Sequence, residues 1–380
     1  MIHGVINIYK ERGYTSHDVV GKLRGILKQK KIGHTGTLDP DAEGVLPVCL
    51  GKATKLCDLL TDKEKTYRAV LLLGKNTDTQ DISGRVLSEQ PVTADEETVR
   101  GAVMSFVGAY DQIPPMYSAL KVNGQKLCDL ARAGKEVERK PRRVTIREIR
   151  VEQVELPRVT MEVTCSKGTY IRTLCQDIGE KLGCGGCMES LLRTRVDRFC
   201  LEEAIKLGEV EALKTEKGLE GLMEKILPID GMFAAAPKAV VLEEGMKALV
   251  NGNTLRAASV QTEQPVPDGE RVRVYDVDGR FYALYRYEES EKQYRLEKMF
   301  YDRENVYSAI TKIIKSPIST RILPVFFSLR NFFFFKSAPS FVFFMSFTHI
   351  LFSFSSKYSE HFIISQQHIV PLSIFQDMCL

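Results

Sequence analysis

Asp39 sits in the stretch GHTGTLDPDAEGVLPVCLGKATK, residues 33–55, where glycines at 33, 36, 44 and 51 surround a Leu-Asp-Pro. A carboxylate on such a loop can act as a nucleophile or move a proton. The competing structural reading is a helix N-cap with Pro40 at the first helical position. Ala42 stands where a capping box needs Glu or Gln, and Gly44 ends any helix almost at once, so the context favours function. Arg172 falls at the start of a predicted helix, where a cation opposes the helix dipole and calls for a carboxylate from elsewhere. Structural ion pairs meet that need more often than active sites do. Tyr67 reads as a core tyrosine on a strand face, Tyr170 as a packed aromatic, and His34 as a loop hydrogen-bonding residue. Cys184-Gly185-Gly186-Cys187 has CxxC spacing, but no second CxxC and no His-x-His accompanies it, so neither a zinc nor a redox site is expected. No P-loop or dinucleotide fingerprint occurs.

Several elements must hold these residues. Gly4 to Tyr9 reads as a strand, and Thr15-Ser16-His17-Asp18 can cap a helix carrying Val19, Leu23, Ile26 and Leu27. Tyr67 to Leu73 reads as a strand with Tyr67, Ala69, Leu71 and Leu73 on one face. Val159, Met161, Val163 and Cys165 alternate with polar residues, giving a half-buried strand. Ile171, Leu174, Ile178 and Leu182 then recur at helical spacing until Gly183. Strands and helices mix without regular βαβ alternation, so the class is α+β with a largely antiparallel sheet. A boundary is expected near Leu227-Pro228-Ile229-Asp230. Beyond it, strands Arg271 to Val277 and Arg280 to Tyr287 flank Asp278-Gly279, a signal for a two-residue hairpin turn in a small, mostly β unit.

The 380 residues carry a formal net charge of +4, and residues 1–303 hold 47 basic against 46 acidic groups. A polyanion must therefore meet local patches. Lys22, Arg24, Lys28, Lys30 and Lys31 form one; Arg132, Lys135, Arg139, Lys140, Arg142, Arg143, Arg147 and Arg150 form another. A solvated helix face or hairpin is the better explanation of such a run taken alone. Scattered cysteines and an N-terminus without an apolar signal region fit a cytoplasmic protein. The stretch from residue 304 is different in kind: of 19 phenylalanines, 14 lie beyond residue 320. Residues 337–356 lack charge but are diluted by Pro339 and several serines, so an adventitious extension is preferred to a membrane anchor.

Taken together, the Asp39 stretch, KTYRAVLLLGKNTDTQDISGRV, PPMYSALKVNGQKLCDLARAGKEVERKPR and CSKGTYIRTLCQDIGEKLGCGGCMESLLRTRV resemble the TruB family of tRNA pseudouridine synthases. The resemblance covers roughly residues 1–303. It implies a pseudouridine synthase fold at 1–232, a PUA-like β domain at 236–303 and a non-family tail at 304–380. It further implies isomerisation of uridine to pseudouridine in the tRNA T-loop, at position 55, with no cofactor, no metal and no membrane partner for residues 1–303. A monomer is the expected state, and the tRNA T-arm the expected partner. By motif, Asp39, Tyr67 and Arg172 are the catalytic group, while Tyr170, His34, Leu191 and Lys10 bind substrate. Arg172 is then expected to keep Asp39 ionised, and the glycines to allow close approach of a flipped nucleotide. Cys128, Cys187 and Leu192 depart from the family pattern, outside the catalytic residues. An RNA-folding chaperone, a nucleoside glycosidase pairing Asp39 with Asp41, and a synthase for another RNA are the rivals.

Overall fold

The computed structural model describes residues 1–301; the expected tail at 304–380 lies outside the described residues. The helix Ser16–Leu27 begins where the sequence places it, with Thr15 and Asp18 closing a reciprocal capping box. It buries Val19, Val20, Leu23 and Leu27 against Ile6, Ile8, Leu46 and Val48 of the sheet beneath. Each of these side chains, once fully buried, contributes about 1.5–3 kcal/mol.

The central sheet has ten strands. Eight run in the order Ile226–Leu227, Gly4–Lys10, Glu43–Leu50, Gly186–Val196, Lys65–Leu73, Arg158–Cys165, Arg142–Glu155, Gly108–Gln112; Ile32–His34 pairs beside Glu43–Leu50 and Phe199–Cys200 beside Gly186–Val196. Among its described strands every neighbour is antiparallel except Gly186–Val196 on Glu43–Leu50, which pair in parallel through Leu192↔Glu43 and Arg193↔Gly44. That pair joins the Asp39 segment to the rest of the sheet. Tyr67, Ala69 and Leu71 share one face with Val159, Met161 and Val163, as period-two alternation requires, and the helix Ile171–Lys181 packs Ile171, Leu174 and Ile178 against them.

A second, six-stranded sheet follows, ordered Leu255–Arg256, Gln293–Met299, Phe281–Glu288, Arg271–Tyr275, Lys238–Val241, Val260–Thr262. The expected two-residue turn at Asp278-Gly279 is instead a three-residue loop. Asp276 N donates to Arg280 O at 3.1 Å, leaving Val277, Asp278 and Gly279 outside the ladder, and Gly279 takes φ 78°. Glycine in the left-handed position is what a three-residue hairpin with a bulge needs. Leu284 and Phe300 from this second region pack with Val5, Val45, Cys49 and Ala53 in one core cluster, so apolar side chains run unbroken across the expected boundary.

Candidate active site

Asp39 lies on the connection between two antiparallel strands, Ile32–His34 and Glu43–Leu50. Neighbouring groups tie this loop down along its length. Leu38 N donates to Ser16 Oγ at 2.9 Å, and Thr35 donates to Pro47 O through both its N, at 3.2 Å, and its Oγ1, at 3.1 Å. Ala42 N donates to Asp39 O at 3.1 Å, closing a turn that no helix continues, so the N-cap alternative falls. Leu38 and Ala42 are buried on either side of Asp39 and root its backbone in the core.

The carboxylate instead meets Arg172. Arg172 Nε lies 3.0 Å from Asp39 Oδ2, and Nη2 donates to Oδ1 at 3.3 Å, a two-pronged contact across 133 residues of chain. Nη2 also donates to Tyr117 O at 2.9 Å, and Nη1 donates to Thr79 O at 3.1 Å and faces Asp81 Oδ2 at 3.6 Å. Each of the three guanidinium nitrogens thereby faces at least one oxygen. Exposure separates the partners: the Arg172 side chain is 6% exposed and that of Asp39 38%. The arginine is sealed in while the carboxylate keeps an open edge.

Burial pushes the Asp39 carboxyl above the usual carboxylate range; Arg172 and Lys10 pull it down, and Asp81 and Asp41 push it further up. The expectation that Arg172 keeps Asp39 ionised is therefore corrected in degree. The guanidinium aims the carboxylate and offsets its desolvation without overturning it.

Tyr67 is buried on the strand Lys65–Leu73, in one core cluster with Leu38, Ala42 and Leu191. Burial raises its phenol above the ordinary value, while the neighbouring Arg193 cation draws it down. Tyr170 is the residue before the helix Ile171–Lys181, and buried Gln112 grips its main chain twice: Tyr170 N donates to Oε1 at 2.8 Å and Nε2 donates to Tyr170 O at 3.0 Å. His34 is half-buried and meets His17 edge to face at 5.8 Å between ring centroids. Burial, then His17 and Arg193, lowers its pKa, which favours the neutral ring. Lys10 is buried, and Nζ donates to Ala42 O at 2.6 Å, Pro40 O at 3.0 Å and Glu11 O at 3.2 Å. The structure thus places Lys10 under the Asp39 loop, its three protons on main-chain carbonyls.

Three residues that sequence reasoning passed over belong to this arrangement. Asp81 is the second carboxylate on Arg172, and its Oδ1 accepts from Thr79 Oγ1 at 2.8 Å and from Ser83 N at 3.1 Å. The Asp, Thr, Ser and Gly content of residues 78–84 is the turn chemistry that could have signalled it. Gln112 is the second. Arg193 is the third: it lies two residues beyond Leu191, and in a strand that spacing returns to the same, inward face.

The glycine expectation is also corrected. A Cβ on Gly44, at φ 103°, would lie 2.2 Å from Arg193 O, and one on Gly51, at φ 57°, 2.5 Å from Ile2 O. These glycines admit neighbouring backbone rather than a ligand.

Of the second basic patch, Arg132, Arg139, Arg143, Arg147 and Arg150 each pair with a carboxylate. Lys135, Lys140 and Arg142 have no such partner among the described residues and are the ready anion contacts of that patch. Asp41 pairs with Arg12 at 3.4 Å, both side chains being largely exposed. The cysteines among the described residues are all free, and no cluster of three or more metal-ligating side chains occurs among those residues. No helix among them is long and apolar enough to cross a membrane.

Similarity to known proteins agrees with this geometry. The family model described as TruB family pseudouridylate synthase (N terminal domain) matches residues 24–171, and that of the tRNA pseudouridylate synthase B C-terminal domain matches residues 172–234. The tRNA pseudouridine synthase B of Lachnoclostridium phytofermentans is 55% identical over 310 residues, covering 79% of this chain and 100% of that protein. That of Alkaliphilus oremlandii is 44% identical over 306 residues, covering 80% and 100%. A chain of the Cbf5-Nop10-Gar1 complex superposes with a TM-score of 0.59 at 28% identity, covering 80% of this chain and 86% of that one. With both family models matched and relatives aligned along their whole length, the chain belongs to the TruB family of pseudouridylate synthases.

Proposed function

We propose that the protein isomerises uridine to pseudouridine in tRNA, at the T-loop position 55, with Asp39 as the reacting carboxylate. The observation that carries this reading is the half-open Asp39 held in the two-pronged grip of a sealed Arg172. The C1′–N1 bond of the nucleotide breaks, the uracil turns, and a C1′–C5 bond forms as the C5 proton leaves; N1 gains a proton, so nothing is added or lost overall. A carboxylate at C1′ stabilises positive charge there, adds covalently, or takes part in proton abstraction. Its raised pKa makes it a stronger base than a free aspartate, which suits proton abstraction.

Tyr67 stacks on the uracil, with its hydroxyl facing the reacting carbons. Tyr170 and Leu191 wall the pocket, and neutral His34 fills the gap left by the flipped base. Lys10 serves here by holding the Asp39 loop from below. Lys135, Lys140 and Arg142 contact backbone phosphates of the T-arm, while the ion-paired arginines exchange carboxylates for phosphates at small cost, since surface pairs are worth about 0–1 kcal/mol. The second sheet is a PUA-like unit extending the grip along the arm. The protein works as a monomer in the cytoplasm.

The glycosidase reading loses its second acid, because Asp41 points into solvent beside Arg12. Asp81 does not replace it: its oxygens are taken by Thr79, Ser83 and Arg172. Incubation of the protein with a tRNA transcript discriminates. Pseudouridine at the T-loop uridine with no free uracil is expected; release of uracil refutes the isomerase reading, and conversion only in ribosomal fragments refutes the tRNA substrate.

A further inference from the structure

Arg193 is among the largest fully buried side chains of the described residues, at 1% exposure. Burial lowers its pKa and the neighbouring Tyr67 raises it, and Arg193 takes part in none of the ion pairs found among the described residues. Its Nε donates to Val45 O at 2.7 Å and its Nη2 to Gly36 O at 3.4 Å. Gly36 precedes Asp39 on the loop and Val45 follows it, so one guanidinium ties both ends of the segment that carries the carboxylate. On the other side Arg193 is the cross-strand partner of Tyr67, which sets the guanidinium beside the phenol.

Filling this space would need only an apolar side chain, because a buried unpaired cation is costly. What the guanidinium adds is a set of N–H donors, with no acceptor, beside the tyrosine hydroxyl. Such a neighbour can accept no proton from the hydroxyl, and like-charged hydrogens repel, so the O–H proton must point away from Arg193. The carboxylate whose charge reaches Tyr67 is Asp39.

We propose that Arg193 is a positioning residue for the isomerisation: it locks the Tyr67 hydroxyl and both ends of the Asp39 loop into one frame and turns the phenolic proton toward the reacting nucleotide. The inference rests on the reading of Tyr67 as an active-site group. It differs from the role of Arg172, which holds the carboxylate itself.

The test is a double-mutant cycle on the full chain, with turnover followed by tritium released from C5 of labelled uridine in a tRNA transcript. Arg193→Lys keeps the charge but is too short and too sparsely branched to reach Val45 O, Gly36 O and the phenol together. It is expected to lower kcat about 30-fold, with KM and RNA Kd within about twofold and melting close to wild type. In a Tyr67→Phe background the same change is expected to cost less than about threefold, because the hydroxyl it serves is already gone. Arg193→Met, which also removes the charge, is expected to follow the same pattern with a larger loss. An equal loss in both backgrounds, a loss confined to KM or Kd, or an unaltered kcat overturns the proposal. Where Arg193→Met does not fold, the lysine variant decides; where Tyr67→Phe leaves no measurable turnover, the kcat-only loss of the well-folded lysine variant decides. Tyr67→Phe with wild-type kcat is a separate outcome that refutes the reading of Tyr67 itself.

Discussion

Replacing Arg172 with lysine keeps a positive charge beside Asp39 but removes the planar fork. Arginine meets Asp39 twice and Asp81, Thr79 O and Tyr117 O once each. An ammonium has three protons, so at least two of these five contacts are lost. At about 1.5 kcal/mol for each charge-assisted bond, the loss in stability reaches about 3 kcal/mol. Asp39 keeps 38% exposure, so water replaces part of what it loses, and about 2 kcal/mol is the expected cost. The kinetic cost is separate: a carboxylate no longer aimed from two directions moves by up to about an ångström, which costs about a hundredfold in rate. Single-turnover tritium release should fall by about that factor while filter binding of tRNA stays unchanged. Turnover within about threefold of wild type would show that charge alone, without the fork, suffices, and the geometric argument would fail.

Acid pH should switch the enzyme off early. The Asp39 carboxyl sits above the usual carboxylate range because burial outweighs Arg172, so the ionised form is lost as pH falls through that raised value. A kcat profile flat down to the ordinary carboxylate range contradicts this. At the alkaline end, burial brings the Lys10 ammonium down to about 8. Above that pH it loses one of the three protons holding the Asp39 loop, and kcat should decline; a profile level to about pH 10 argues against the clamp. Gly44→Ala places a methyl group 2.2 Å from Arg193 O at φ 103° and should destabilise by about 3 kcal/mol or more, seen as a sharp drop in melting temperature; unchanged melting contradicts the close approach. Changing Lys135 and Lys140 together to alanine should weaken tRNA binding and flatten its salt dependence by about two phosphate contacts, with kcat kept; an unchanged salt slope excludes them from the interface.

The local features of this fold were legible where a short-range rule governs them. Thr15 and Asp18 announce the first helix, and the alternation from Val159 to Cys165 announces a half-buried strand, because capping and pleat are decided by neighbours in sequence. The need of Arg172 for a carboxylate was legible from its place at a helix start, while the identity of that carboxylate as Asp39 came from the family resemblance. Tertiary pairing was not legible. Nothing local tells Arg193 that it will lie parallel to Gly44, some 150 residues earlier, so Gly44 was read as making room for a ligand when it makes room for a strand. In the second basic patch only the local pairs, Arg132 with Asp129 and Arg139 with Glu136, were within reach of the sequence, whereas Asp111 for Arg143 and Glu64 for Arg147 come from distant segments. The hairpin at Asp278-Gly279 shows the limit of dipeptide signals: the turn is where expected, but a bulge shifts the register between Val274 and Tyr275 and sets the loop length.

The central claim is that one carboxylate, Asp39, performs the chemistry in a frame built around it. Asp39→Asn keeps the shape and leaves an oxygen for Arg172, while removing the charge and the titratable proton. A T-arm hairpin should bind this variant as tightly as wild type and yield no pseudouridine at its loop uridine over many wild-type turnover times. Conversion by the asparagine variant at the wild-type rate would contradict the account, since no other carboxylate in the site is free to take its place.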